Sequence, residues 1–367
     1  MKRIFIIVFT LILAIGSLTI TVSAVDGELS MDEYAVESLT KYIKADASLD
    51  SAYLSNAMTI YNFDDPASCK TAYFAISDDQ IAGMLTVVEY SGKYYSSYVL
   101  DAPDEIKTAF STSTPFALGY VKDQLVIITQ SEITVLSANR NNETVSFDDL
   151  SVVSFEYTRL CKTDTKISAS PVQTRAIMYT KFHNVRRVMN VGPRCWAAAV
   201  SSIGNYYRNT SYTTLSMVDA CRPYDYSEEP IGTMKWYRIA YQNVLGMNIS
   251  VRGSDGYGSA PLTSNEIYGN LYTYGPFQIS MGGLDSDGSI VGHALVFSGI
   301  MAENSESYPI QYGAYYYIID PNTYEDSPVV CYVNQDIMQD GSRFAYVPPY
   351  TNSILYNNWY RTIIVMP

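Results

Sequence analysis

Residues 190 to 207 read NVGPRCWAAAVSSIGNYY, from Asn190 to Tyr207. A Gly-Pro turn, Gly192 and Pro193, leads into Cys195 and Trp196, and then into a run of helix formers, Ala197 to Val200. Proline has no backbone donor and belongs at or before the first turn of a helix, so the spacing predicts a helix starting beside Cys195 and running to about Tyr207. A thiol placed there feels the positive end of the helix dipole, which favours the nucleophilic thiolate. A free cysteine is also an ordinary small core residue. Two later stretches, one opening on His293 and one ending on Asp320, favour the reactive reading.

The chain has only two histidines, His183 and His293. His183 lies in a mixed basic stretch with Lys181, Arg186 and Arg187 and reads as a surface residue. His293 follows Gly292 and opens the apolar run ALVFSG, Ala294 to Gly299, which predicts a buried strand with the imidazole at its exposed end. Further on, YYYIIDPN (Tyr315 to Asn322) is a strand that closes on Asp320 and is stopped by Pro321. Paired beside the His293 strand, it would bring Asp320 to the imidazole. There the carboxylate would accept the Nδ1 proton, fix the tautomer and stabilise an imidazolium paired with the Cys195 thiolate. Asn322 offers an amide oxygen for the same part, and an aspartate at a strand end also serves as a plain turn residue.

Cysteine, then histidine heading an apolar strand, then Asp or Asn at the end of the next: this order resembles the papain-like cysteine peptidases. Among them the chain is most similar to compact bacterial secreted members of the staphopain and streptopain type and to bacteriocin-leader-processing peptidases. The resemblance rests on CWAAA at Cys195, GPFQISM (Gly275 to Met281) ahead of GHALVFSGI (Gly292 to Ile300), and YYYIIDPN, within roughly residues 180 to 325. It implies an α+β catalytic domain, with the N-terminal helix bearing the nucleophile packed on an antiparallel sheet bearing the base. Catalysis would run through Cys195, His293 and Asp320 or Asn322. Such peptidases place a glutamine before the nucleophile as an oxyanion donor, yet none lies between Thr174 and Cys195. Asn190 is the substitute, its amide acting with the Cys195 N–H, a contribution of roughly 3 kcal/mol per donor.

Outward from this core, further elements are readable. Helices are expected over Thr214 to Ala220, Gly232 to Leu245 and, capped by Thr263 and Ser264, Asn265 to Tyr272. Phe277 to Met281 reads as a strand followed by a turn-rich loop, Gly282 to Gly288. Asp285 opens that loop like a calcium site, but Val296 occupies the place of the closing glutamate, so it is a turn. Strands Val329 to Val333, Phe344 to Val347 and Trp359 to Met366 complete the sheet, with Tyr346, Tyr350 and Trp359 expected mainly in the core.

The N-terminal part is of another kind. Lys2 and Arg3 precede the apolar run Ile4 to Ile15, then small residues ending Val22-Ser23-Ala24, which reads as a secretory signal, with cleavage expected before Val25, rather than as a membrane anchor. Residues 25–170 read as a β-rich domain. A helix over Asp32 to Lys44 leads to hairpins Gly83–Tyr90 with Tyr94–Leu100, and Phe116–Val121 with Leu125–Thr129. Ile133–Leu136 adds a strand, and Asn139–Thr144 is a loop. No histidine falls in this half, which the resemblance makes a propeptide-like domain. Lys162 to Arg175 is small and polar and reads as an exposed linker open to proteolysis near Arg175. Residues 171–367 are then the catalytic domain.

Composition bounds the function. The 367 residues carry a formal net charge of -13, which argues against a nucleic-acid partner. The five cysteines, an odd count for an exported chain, leave at least one thiol unpaired. Their spacing fits no metal site, and no cofactor motif or P-loop occurs. The expectation is a secreted cysteine endopeptidase made as a zymogen, acting on polypeptides, with its own N-terminal propeptide as a partner. Two other classes remain open: a transglutaminase-like acyl transferase using the same triad, and an inactive surface-binding protein built on 34 tyrosines.

Overall fold

The computed structural model describes residues 29–45, 49, 51–136, 144–150, 153–168, 177–226, 230–254, 256, 258–284, 290–304, 313–323, 327–334, 341–353 and 355–367. The signal segment, most of the 139–144 loop, the Asp285–Gly288 turn and Arg175 lie outside these residues.

Among the described residues the fold is α+β, with one large, mostly antiparallel sheet and six α-helices. Helix α1 (Met31–Ala45) opens with Ser30 and Glu33 bonding each other's backbone N–H groups, a reciprocal cap. Strands β1 (Ser51–Ser55), β2 (Met58–Asn62), β3 (Lys70–Ser77), β4 (Gln80–Tyr90) and β5 (Lys93–Val99) come next. Then come α2 (Asp104–Ser111), β6 (Ala117–Val121), β7 (Gln124–Ile128) and β8 (Ile133–Val135). The hairpins β4–β5 and β6–β7 turn on Ser91-Gly92 and Lys122-Asp123, each pair at positive φ, the conformation that matches strand twist in two-residue turns. Part of the expected linker is not a linker. Lys162–Ser168 forms β9, paired with β1, because alternate side chains can face the sheet there, with Ile167 buried.

In the second half β10 (Ile177–Phe182) precedes α3 (Cys195–Arg208), α4 (Thr214–Cys221) and α5 (Met234–Arg238), which continues as a π turn over Ile239–Val244. Strand β11 (Asn248–Gly253) and helix α6 (Ser264–Thr273) lead to β12 (Phe277–Leu284), β13 (Ile290–Asn304), β14 (Gly313–Ile319), β15 (Val329–Asn334) and β16 (Leu355–Met366). Phe344–Val347 is not a strand: Tyr346 makes one isolated bridge to Tyr356, beside a short 3-10 turn at Gly341–Arg343.

Strand order runs β11-β16-β12-β13-β14-β15-β5-β4-β3-β2-β6-β7-β8. The join between halves is β15 with β5, through Val329 opposite Val99 and Val330 opposite Tyr98. One face carries an apolar cluster running from Ile60 and Phe74 through Val329 and Ile318 to Trp359, so both halves share a core. On the other face α1 covers the join, with Leu39 and Tyr42 packed among Tyr98, Tyr315 and Val330. Helices α3 to α5 form a separate cluster against β13 and β16. Here three alanines, Ala197 to Ala199, let α3 lie close on the sheet.

Candidate active site

Cys195 is the first residue of α3. Gly192 takes φ +63 in the turn ahead of it, a backbone shape that glycine adopts without strain. No carboxylate occupies the first helical turn and no side chain caps it, so nothing there offsets the dipole at the sulfur. The approach segment is tied to the helix region: the Val188 N–H donates to Ser202 Oγ at 2.9 Å, and the Thr214 hydroxyl donates to the Met189 carbonyl at 2.5 Å. Cys195 is half-buried, whereas Cys221 and Cys331 are buried and burial pushes the Cys221 thiol up to about 12. None of the five cysteines is in a disulfide.

His293 lies inside β13 rather than at a strand's exposed end, and it is 2% exposed. The strand begins three residues earlier than the apolar run suggested, because Gly292 and Val291 already pair with Gly282 and Gly283 of β12. Strand β14 pairs with β13 and delivers Asp320 just past its end. His293 Nε2 donates to Asp320 Oδ1 at 2.8 Å. The ring atom differs from the expected Nδ1, and Cys195 and His293 border one cavity.

Asp320 is 1% exposed and has each oxygen satisfied. Oδ1 accepts from His293 and from the Asn322 N–H at 2.8 Å, while Oδ2 accepts from the Tyr346 hydroxyl at 2.7 Å. Burial works against the imidazolium. The Asp320 charge and hydrogen bond, joined by Cys195, outweigh it and raise His293 to about 9. Burial likewise opposes the carboxylate, but His293, Tyr346 and the Asn322 N–H hold Asp320 below its ordinary range. Tyr356 stacks on the His293 ring, with centroids 5.1 Å apart and planes at 27°.

Asn322 Nδ2 lies 3.3 Å from His293 Nε2. Both are donors when Nε2 carries the proton shared with Asp320, so this is a contact rather than the orienting bond. Asn190 is 2% exposed and turned elsewhere: its Nδ2 donates to Asn322 Oδ1 at 3.0 Å and its backbone N–H to the Pro321 carbonyl at 3.0 Å. It braces the turn after Asp320 and does not line the cavity at the thiol. That cavity, about 170 Å³, is bordered by Pro193, Cys195, Trp196, Gly232, Tyr237, Gly292, His293, Ala294 and Tyr360, all of the second half. His183, read as a surface residue, is half-buried, its ring nitrogens bonded to the Tyr206 hydroxyl and the Leu271 carbonyl.

Sequence reading missed Tyr346 and Tyr356 as neighbours of the His293–Asp320 pair. A pairwise motif search cannot find them, because a phenol oxygen reaching a carboxylate from a loop 26 residues away has no local pattern. Among the described residues no cluster of His, Cys, Asp or Glu could hold a metal ion. No helix among them is long and apolar enough to cross a membrane.

The structure thus brings together a half-buried thiol at a helix start, a buried imidazole and a buried carboxylate bonded to that imidazole. Residues 179–334, a little under half of the chain, match the family model described as papain-like cysteine protease AvrRpt2. No curated protein matches the chain. The matched span contains Cys195, His293 and Asp320, and it supports a papain-like cysteine peptidase family.

Proposed function

We propose that this chain is a cysteine endopeptidase in which Cys195 is the nucleophile, His293 the acid and base, and Asp320 the residue that orients the imidazole. The observation carrying this reading is the buried His293–Asp320 bond of 2.8 Å beside the cavity that His293 and Cys195 both border. The thiolate attacks the peptide carbonyl carbon, forming a C–S bond as the π electrons move to oxygen. The Cys195 N–H, in the first helical turn, is placed to stabilise that oxyanion. As the C–N bond breaks, the His293 imidazolium gives its proton to the leaving amine. Neutral His293 then deprotonates a water, which adds to the thioester. The C–S bond breaks, and the thiolate–imidazolium pair is restored.

The export reading rests on Lys2, Arg3 and the apolar run from Ile4. In the zymogen reading the first half is a propeptide-like domain and cleavage falls near Arg175. What supports it is the small, polar composition of the stretch leading to Arg175.

Iodoacetamide labelling of the purified protein across pH, with peptide mapping, tests the assignment. Cys195 is expected to alkylate near pH 6 far faster than Cys69 or Cys161, and Cys195→Ala is expected to abolish caseinolysis. A Cys195 that reacts no faster than those exposed thiols would overturn it. Transfer of the acyl group to an added amine in preference to water would move the assignment to the acyl transferases.

A further inference from the structure

The segment after Tyr346 runs Val347-Pro348-Pro349-Tyr350-Thr351-Asn352-Ser353, and every one of these residues is buried. Two prolines leave it short of donors, and a buried irregular segment must still satisfy its carbonyls. Here they are satisfied from the first half of the chain. Ser97 Oγ donates to the Val347 carbonyl at 2.7 Å. Lys70 Nζ donates to the carbonyls of Pro348 at 2.6 Å and Thr351 at 2.9 Å. The Tyr120 hydroxyl donates to the Pro349 carbonyl at 3.0 Å, and its ring lies under the lysine nitrogen, 5.0 Å from the centroid. Asn352 is held at its N–H by Asp123 and at its amide by Asp64.

Tyrosines on either side of this segment touch the His293–Asp320 pair. Tyr346 donates to Asp320 Oδ2, and Tyr356 stacks on His293. The two tyrosines are locked to each other by reciprocal backbone bonds of 2.8 and 2.9 Å. Lys70 itself is 2% exposed and sits at the start of β3, a position fixed by the sheet. Burial pushes its pKa down to about 7, and an amine or an ammonium alike has donors enough for two carbonyls.

We propose that Lys70, with Tyr120, is a positioning residue for the reaction: through residues 347–352 it sets Tyr346 and Tyr356 against Asp320 and His293. The first half is then an internal support of the active site, although none of its residues borders the cavity at Cys195. Cleavage near Arg175 would leave the two pieces joined through β5–β15 and this segment. The inference rests on the peptidase reading and deepens it.

The test is a double-mutant cycle on full-length protein, with kcat and KM read on a peptide substrate. Lys70→Met and Tyr346→Phe are each expected to lower kcat by about 10-fold with KM changed less than about 2-fold. The double variant is expected within about 2-fold of the weaker single, since residues acting through one path are not additive. The ratio of Cys195 alkylation rates at pH 6 and pH 9 is expected to fall in Lys70→Met, a change that loss of packing alone would not produce. Should Lys70→Met fail to fold, Tyr120→Phe removes only the Pro349 bond and is expected to act in the same direction through the same cycle. Full kcat in both first-half variants, or effects that simply multiply with Tyr346→Phe, would overturn the inference while leaving the peptidase intact. A wild-type chain without turnover both intact and after cleavage near Arg175 would instead end the peptidase reading, and this inference with it.

Discussion

His293 is the residue on which pH should act most visibly. Its ordinary pKa of 6.5 is raised to about 9 in the folded protein. The folded state therefore binds the proton more tightly than the unfolded one, so this contribution to stability is complete below about pH 6.5 and is lost as pH rises through 9. Thermal melts are expected to fall over that window in the wild type. In Asp320→Asn, where the carboxylate charge is gone, the slope should flatten. In the proposed mechanism kcat/KM is expected to decline near pH 9 as the imidazolium loses its proton, and Asp320→Asn should move that limb to lower pH. An unmoved limb would mean that Asp320 does not act on His293.

At the scale of elements, two ends have a local cause that can be removed, the start of α6 and the end of β11. Helix α6 begins with a reciprocal cap, the Thr263 hydroxyl accepting from the Glu266 N–H while Glu266 accepts from the Thr263 N–H at 2.9 Å. Thr263→Ala is expected to cost about 1 kcal/mol in denaturant unfolding. Gly253, the last residue of β11, is a harder case. It has φ +84, and a Cβ there would lie 2.2 Å from Ala260 Cβ and 2.4 Å from the Tyr360 carbonyl. Gly253→Ala is expected to destabilise by about 3 kcal/mol or more. Because Tyr360 borders the cavity at Cys195, activity should fall below what the folded fraction predicts.

The whole molecule behaves as one sheet with a shared core, and this has a consequence for dissection. Residues 177–367 alone would expose the face formed by Ile318, Val329 and Cys331, whose cluster extends into Phe74 and Met84 of the first half. That half expressed alone is expected to lack the near-ultraviolet circular dichroism of native packing, and to recover it when residues 25–168 are supplied in trans. A nicked full-length chain, by contrast, should elute as one species. Native packing in the isolated half would show that the shared cluster is dispensable.

What the sequence determined by itself is local or periodic. The Gly-Pro turn before Cys195 forecast a helix start, and α3 begins there because proline and positive-φ glycine leave the chain few other shapes. The paired apolar runs around His293 and before Asp320 forecast neighbouring strands, since both alternate or bury fully at strand length. The hairpins at Ser91-Gly92 and Lys122-Asp123 were legible from turn chemistry. Which ring nitrogen faces Asp320, and whether Asp320 or Asn322 is the nearer partner, was decided only by strand register and by the turn at Pro321. Asn190 was drawn to that turn instead of the cavity for the same reason. The binding of Lys70 to carbonyls some 280 residues away left no mark in composition or spacing, because a buried carbonyl's need for a donor exists only once the chain has folded around it.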